Sequence, residues 1–358
     1  MLHGEFIMKL EKHDIVIIGG GQAGLSIALQ LQKKYDYLIL EKHKRVGDSW
    51  RQRYDSLVLF TSRHFSQLEG MQMPGDESEY PTRDEMAEYL EAYSKNFELK
   101  IETGESVTKL SKEKTHFKIE KGDEKLIIAK VVIIATGGFE EPITLESDSL
   151  AISVPQFTVN TYKNSNSLPE GRVLVVGDGA TGRQIALDVS KTHPVTLSTG
   201  KKRNIVPQRV LGRDIFFWLD KLGILGASVK SLLGRILKRR DPFPGKHLEL
   251  KTLSRKGIKV TGRLKSIQKQ NAQYDNGFGE EIKSVIWAVG FKSNTSWVKI
   301  EEALMQSQFL HDKGVSPVGG LFYIGQPWQR NRGSALITGL KHDNQFILKK
   351  IEAYLNNI

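Results

Sequence analysis

Two strand–glycine–helix segments, "DIVIIGGGQAGLSIAL" at 14–29 and "VLVVGDGATGRQIAL" at 173–187, limit what this chain can fold into. Each begins with a short β-branched run suited to a buried parallel strand. Each continues through a G-x-G-x-x-G turn into apolar residues at helical spacing. Gly19, Gly21 and Gly24 hold the spacing in the first segment, and Gly177, Gly179 and Gly182 in the second. The first glycine of such a turn permits a sharp bend. The second lets a pyrophosphate approach the backbone, and the third lets helix and strand pack closely. The helix N-terminus then offers N–H groups and the positive end of its dipole to a phosphate. The segments align at an offset of 158 residues and share Ile-Ala-Leu, so one nucleotide-binding unit occurs twice.

The two units differ where a ribose would lie. The strand "YLIL" (37–40) ends at Glu41, 22 residues after Gly19, where a carboxylate would hold a ribose 2′-hydroxyl. The matching strand "VTLST" (195–199) ends at Thr199, followed by Gly200, Lys201, Lys202 and Arg203. A carboxylate repels a 2′-phosphate and a basic cluster attracts one. The first unit therefore suits FAD and the second NADPH, with a hydride passing from nicotinamide to flavin. Two further strand-and-glycine segments follow the units in order: "KVVIIATGGFEEP" (130–142) and "SVIWAVGFKSN" (284–294). Their small residues, Ala135, Thr136 and Gly137 in the first and Gly290 in the second, sit where the chain can pass close to a cofactor or cross between domains.

Composition narrows the chemistry. With 358 residues, 39% of them hydrophobic, the chain can bury two or three domain cores. It has no cysteine, which excludes disulfides, thiolate metal sites and dithiol redox chemistry. A net charge of +11 favours anionic partners, but the charge is dispersed and no nucleic-acid-binding motif accompanies it. The nine histidines show no metal-ligand spacing, and neither H-E-x-x-H nor G-x-S-x-G occurs. The apolar run 15–31 is broken by four glycines, too often for a membrane span. Asp14 ahead of it and the lack of a cleavage site argue against a signal peptide, so a cytoplasmic location is expected. Residues 1–8 read as a loose extension.

With these motifs in place, the sequence resembles the class B flavin-dependent monooxygenases, and within them the small bacterial CzcO-like flavoproteins. The resemblance also rests on "EKHKRVGDSWRQRYDSLVLFT" (41–61), "EYPTRDEMAEYLEAYSKNFEL" (79–99), "IVPQRVLGRDIFFWL" (205–219) and "LFYIGQPWQRNRGSALITGLKHD" (321–343). It implies that Gly19, Gly21, Gln22, Ala23 and Gly24 line the FAD pyrophosphate. Glu41 and Lys42 would adjoin the adenosine, Val107 the adenine, and Trp50 and Arg51 the FAD. Gly325 and Gln326 would approach the flavin, with a helix starting near Ser334 beyond them. Gly177, Gly179, Ala180, Thr181, Gly182 and Arg183 would receive NADPH, helped by Thr199, Lys201, Lys202 and Arg203. Metal ligands and a dedicated catalytic side chain are not expected. The partners would be a small organic substrate and O2, with oxygen transferred through a C4a-(hydro)peroxyflavin. The family's F-x-G-x-x-x-H-x-x-x-[YF] fingerprint is degenerate here: Ile152, Val154 and Thr158 replace the first three positions and Tyr162 keeps the last. An NADPH oxidase or flavin reductase passing electrons to O2, a quinone or a protein therefore stays open, as does a redox sensor of ion handling.

The expected fold is α/β, with two Rossmann-like dinucleotide-binding domains. An NADP domain (156–282) would be inserted into a discontinuous FAD domain (1–155 with 283–358). The stretch "RDIFFWLDKLGILGASVKSLLGRILKRR" (213–240) combines large apolar residues with a basic end. It reads as a helical pair packed on its own domain, as a flap over the site, or as a patch lying on an anionic membrane.

Overall fold

The computed structural model describes residues 10–122, 125–145, 150–200, 203–240 and 242–358. The loose extension expected at 1–8 lies outside them, as do Lys201 and Lys202.

The first unit runs β1 (Leu10–Ile18), α1 (Gln22–Leu31), β2 (Tyr37–Glu41), α2 (Arg83–Asn96) and β3 (Ile101–Thr103). It continues through the meander strands β4 (Val107–Glu113) and β5 (His116–Lys121) into β6 (Lys125–Ile134). The parallel order is β3-β2-β1-β6. Strand β6 is long enough to serve two partners, and β5 pairs antiparallel with its first half. Both faces of this sheet are covered at its centre, which is why residues 15–18, 38–40 and 131–134 are apolar at every position rather than at alternate ones. Ile15 and Ile17 point into a core shared with Leu25 and Ala28, while Val16 and Ile18 point into a second core with Phe117 and Ile119.

The second unit repeats the plan. Edge strand β7 (Gln156–Thr158) precedes β8 (Val173–Val176), α3 (Ala180–Val189) and β9 (Val195–Ser198). Helices α4 (Ile215–Lys221) and α5 (Leu232–Arg240) come next, then β10 (Lys259–Thr261) and β11 (Ser284–Trp287). The five parallel strands stand in the order β10-β9-β8-β11-β7, so β11 holds the place that β6 holds in the first sheet. The chain touches the first sheet again where Val298 bridges Leu110 of β4, rejoins it with β12 (Leu321–Tyr323), which pairs with the second half of β6, and continues into α6 (Leu340–Leu355).

One boundary and one packing expectation differ from the sequence reading. The inserted unit does not stop at 282, because Val285 and Ile286, both fully buried, pair with Leu174 and Val175 of β8. The pair expected at 213–240 is helical, but α4 reaches across to the first unit instead of packing only on its own. Phe216 of α4 is buried with Phe65 and Leu336 and stacks near Phe60, all residues of the first unit. The Asp214 carboxylate caps α4 at Phe216 N–H and also accepts from Ser62 N–H.

The glycine turns explain how each helix reaches its strand. Gly19 and Gly177 have φ of +112° and +104°, where a side chain is strained. A Cβ on Gly24 would fall 2.0 Å from Gly19 O, and one on Gly182 would fall 1.9 Å from Gly177 O. Gly179, with φ of −68°, would meet nothing within 4 Å. Gly182→Ala should therefore destabilise the second unit by about 2 kcal/mol or more, as overpacking against backbone does. Gly179→Ala should stay within about 0.5 kcal/mol of wild type. Chemical denaturation of the two variants checks the contrast.

Candidate functional site

In the first cradle, β1 delivers Gly19 beside the end of β6. A Cβ on Gly19 would lie 2.7 Å from Ala135 O, and Ala135 N–H donates to Ile18 O at 2.8 Å. Gly21 is the N-cap of α1 and lends it no side-chain cap. The first N–H groups of α1 thus face a space in which a Cβ at Gly21 would meet nothing within 4 Å. That is the room a pyrophosphate needs against a helix N-terminus. From the far side Gly325 (φ +78°) crosses so near the start of α1 that a Cβ would lie 2.7 Å from Ala23 Cβ. Gln326 uses its side-chain amide internally: Nε2 donates to Gly137 O at 3.3 Å. Gly19, Gly21, Ala23, Gly24, Ala135, Gly137, Gly325 and Gln326, scattered through the sequence, thus meet at one place.

Glu41 closes this cradle. Its carboxylate is buried and accepts from Gly20 N–H at 2.7 Å and from His43 N–H at 2.8 Å. The His43 ring lies 2.6 Å from the same oxygen that takes the His43 N–H. Burial pushes the Glu41 pKa up, but the hydrogen bonds from His43 and Gly20 outweigh it and hold the group below the ordinary carboxylate range. The segment leading to Val107 is tied to the same corner, since Glu105 N–H donates to Glu41 O and Gly104 N–H to His43 O.

Trp50 sits on the short helix Asp48–Arg51, and its indole N–H donates to Gln22 Oε1 at 3.3 Å. Arg51 turns the other way. Its guanidinium reaches Glu91 of α2 at 2.7 Å and Asp48 at 3.1 Å, so it fastens the short helix to α2 instead of lining the cradle.

The second cradle copies the first. A Cβ on Gly177 would lie 2.4 Å from Ala288 O, and Ala288 N–H donates to Val176 O. Gly179 again leaves open space before α3, with Ala180 and Thr181 in its first turn. Arg183 is 2% exposed. It donates to Asp178 O, to the Asp178 carboxylate at 3.1 Å and to Leu248 O, and lies over the Phe243 ring. Its side chain therefore braces the turn from beneath. The other Asp178 oxygen accepts from Gly200 N–H at 3.1 Å, which ties the glycine turn to the strand end that carries Thr199. Thr199 spends its hydroxyl on Thr261 O. Arg203 is exposed.

Between the cradles the structure assembles residues that motif reading passes over. Tyr54 OH donates to Gln184 Oε1 of α3 at 2.7 Å, and Gln184 returns a bond to Val58 O. Arg53 donates to Asn160 Oδ1 and Phe139 O and lies 4.8 Å from the centre of the Phe291 ring. The two crossovers also clasp each other: Glu141–Pro142 pairs antiparallel with Phe291–Lys292, and Ile143 N–H donates to Gly290 O. Near Gly325, Trp328 is held at φ +60°, strained for an aromatic residue. The sequence signal for Arg53 and Tyr54 is their place two and three residues beyond Arg51 in the segment that begins at Trp50. The helix expected near Ser334 begins later. Short 3-10 turns at Arg332–Ala335 and Ile337–Gly339 precede α6, and Asn331 with Ser334 forms a capping box for the first.

The family described as pyridine nucleotide-disulphide oxidoreductase matches residues 16–210. A CzcO-like oxidoreductase of Geobacillus kaustophilus is 42% identical over 343 residues, covering 94% of this chain and 98% of its own. The chain belongs to the CzcO-like oxidoreductases of that family. Indole-3-pyruvate monooxygenase YUCCA6 of Arabidopsis thaliana is 28% identical over 327 residues, covering 79% of this chain and 77% of its own. A flavin-containing monooxygenase from Stenotrophomonas maltophilia superposes with a TM-score of 0.81 at 25% identity, covering 96% of this chain and 99% of its own. The CzcO-like chain is thus a flavin-monooxygenase-like oxidoreductase built on two Rossmann-type units. No described helix is long and apolar enough to cross a membrane, and no metal-binding group occurs among the described residues.

Glu140, in the clasp, accepts from Asn294 N–H at 3.2 Å and Thr136 Oγ1 at 3.3 Å. Burial pushes its pKa up to about 7, against the charge of Lys42 and these hydrogen bonds. A carboxyl whose folded pKa is raised binds its proton more tightly when folded, so stability falls as pH rises from about 4.5 to about 7. Glu140→Gln should remove that dependence. At pH above about 7.5 it should raise stability by about 1–3 kcal/mol, and near pH 4 it should change little. Thermal melting across this range measures it.

Proposed function

We propose that the protein is an FAD-dependent, NADPH-oxidising monooxygenase acting on a small organic substrate. The reading is carried by one observation: two cradles of the same geometry end in opposite chemistry. The first ends in the buried, ionised carboxylate of Glu41. The second ends in Thr199 and the run Lys201, Lys202 and Arg203.

The residues present fit both cofactors. Gly19, Gly21, Gln22, Ala23 and Gly24 would hold the FAD pyrophosphate on the α1 N-terminus, with Glu41 on the ribose and Trp50 holding Gln22 in place. Gly177, Gly179, Ala180, Thr181 and Gly182 would do the same for NADPH, with the basic run Lys201, Lys202 and Arg203 on its 2′-phosphate. FAD bound there would supply hydride acceptance from the nicotinamide and activation of O2. The chain itself positions and shields. Asp178 and Arg183 fix the second turn, Arg53 and Tyr54 tie it to the first, and Phe60, Phe65, Phe216 and Leu336 pack α4 onto the first unit. The relatives' monooxygenase names support the oxygen-transfer step.

A second reading, NADPH oxidase, is favoured by Thr158. It stands where the family fingerprint has histidine, and its hydroxyl is turned into its own 158–161 turn, where it accepts from Asn160 N–H. Purified protein supplied with NADPH in air separates the two. Peroxide released one-for-one with NADPH, whatever candidate substrate is added, would establish the oxidase and overturn the monooxygenase. For the nucleotide assignment, reversing Lys201, Lys202 and Arg203 to Glu should raise KM for NADPH by about 30-fold or more and leave NADH within about threefold. Steady-state kinetics with both donors read this, and equal loss for both would refute the 2′-phosphate site.

A further inference from the structure

Helix α5, "LLGRILKRR", is mounted with its apolar side outward. Its buried position is Gly234, where a Cβ would lie 2.0 Å from Ser228 O, so the helix lies on the 228–229 backbone through a glycine. At about 100° per residue, Leu232, Ile236 and Leu233 fall on the arc away from Gly234. They are 76%, 41% and 44% exposed. On the same wheel Arg235 and Arg239 border them on one side, Arg240 falls among them and Lys238 lies nearer Gly234, all four exposed, and α5 contains no acidic residue. A helix on a water-facing surface has the reverse arrangement. The same segment exposes Leu222 (68%) after α4 and Leu211 (85%). Leu211 stands at φ +50° in the turn joining Arg209–Val210 to Arg213–Asp214, with no burial to offset the strain.

We propose that α5 rests in the surface of an anionic lipid bilayer, which makes this a peripheral membrane protein. Charge selects the occupant. Leucines flanked by cations match the acyl and headgroup layers of an anionic leaflet. Each cation near such a surface contributes about fivefold in partition. A second copy of this chain fits poorly, because a two-fold contact would oppose two sets of cations on molecules of net charge +11. A lid closing on the chain's own site fits poorly too, since the leucines point away from the side that packs. The proposal does not depend on the cofactor assignment.

The test is flotation of the full-length, cofactor-loaded protein with vesicles of phosphatidylcholine containing about one third phosphatidylglycerol, and with phosphatidylcholine alone. Partition should be at least about tenfold stronger on the anionic vesicles and should fall steeply with added salt. Leu232→Ser, Leu233→Ser and Ile236→Ser combined should cut it at least about tenfold. So should Arg235→Gln, Lys238→Gln and Arg240→Gln combined, with circular dichroism and melting temperature unchanged because the altered side chains are exposed. Equal binding to both vesicles, no binding to either, or flotation of the serine variant like wild type would overturn the proposal. A protein dimer that the serine variant abolishes, without flotation of the wild type, would overturn it as well and assign the face to a second copy.

Discussion

Everything in this molecule hangs on two contacts in which a helix backbone touches the carbonyl of the first glycine after the preceding strand. Gly24 lies against Gly19 O and Gly182 against Gly177 O, and neither place has room for even a methyl group. Because the helix comes in so close, its N-terminus is aimed over the end of the sheet, and the middle glycine is left facing open space. The neighbouring strand completes the arrangement by presenting Ala135 O to Gly19 and Ala288 O to Gly177. The repeat is therefore one of backbone contacts more than of side chains.

Divergence between the copies is concentrated in a few side chains around that shared backbone. Glu41 reaches back to Gly20 N–H in the first copy. In the second, Asp178 reaches forward to Gly200 N–H and is itself held by Arg183. Both carboxylates fasten a strand end to a glycine turn, but from opposite partners. The first leaves an acid at the tip, whereas the second leaves only the uncharged Thr199 there, ahead of the basic run.

The parts legible in the sequence are those with fixed local spacing: both turns, the strands before them, the acid after β2, and the meeting of the Ala-Thr-Gly segment with the first turn. The rest depends on which way a side chain leaves its backbone. Arg183 and Arg51 sit in segments that touch the cradles, yet both guanidinium groups turn into the protein, because Asp178 in one case and Glu91 in the other lie within reach. The end of the inserted unit is not legible because Ser284–Trp287 is a buried apolar run that would suit either sheet, and only its register with Val173–Val176 decides. The docking of α4 depends on Phe60 and Phe65, more than a hundred residues upstream, to which no periodicity points.

The short chain from Trp50 to Val58 has a further consequence. It begins on Gln22 in the first helix and ends on Gln184 in the other, so the two turns are moored to opposite ends of a single strap only a few residues long. Together with the clasp of Glu141–Pro142 on Phe291–Lys292, that strap limits how far one glycine turn can drift from the other.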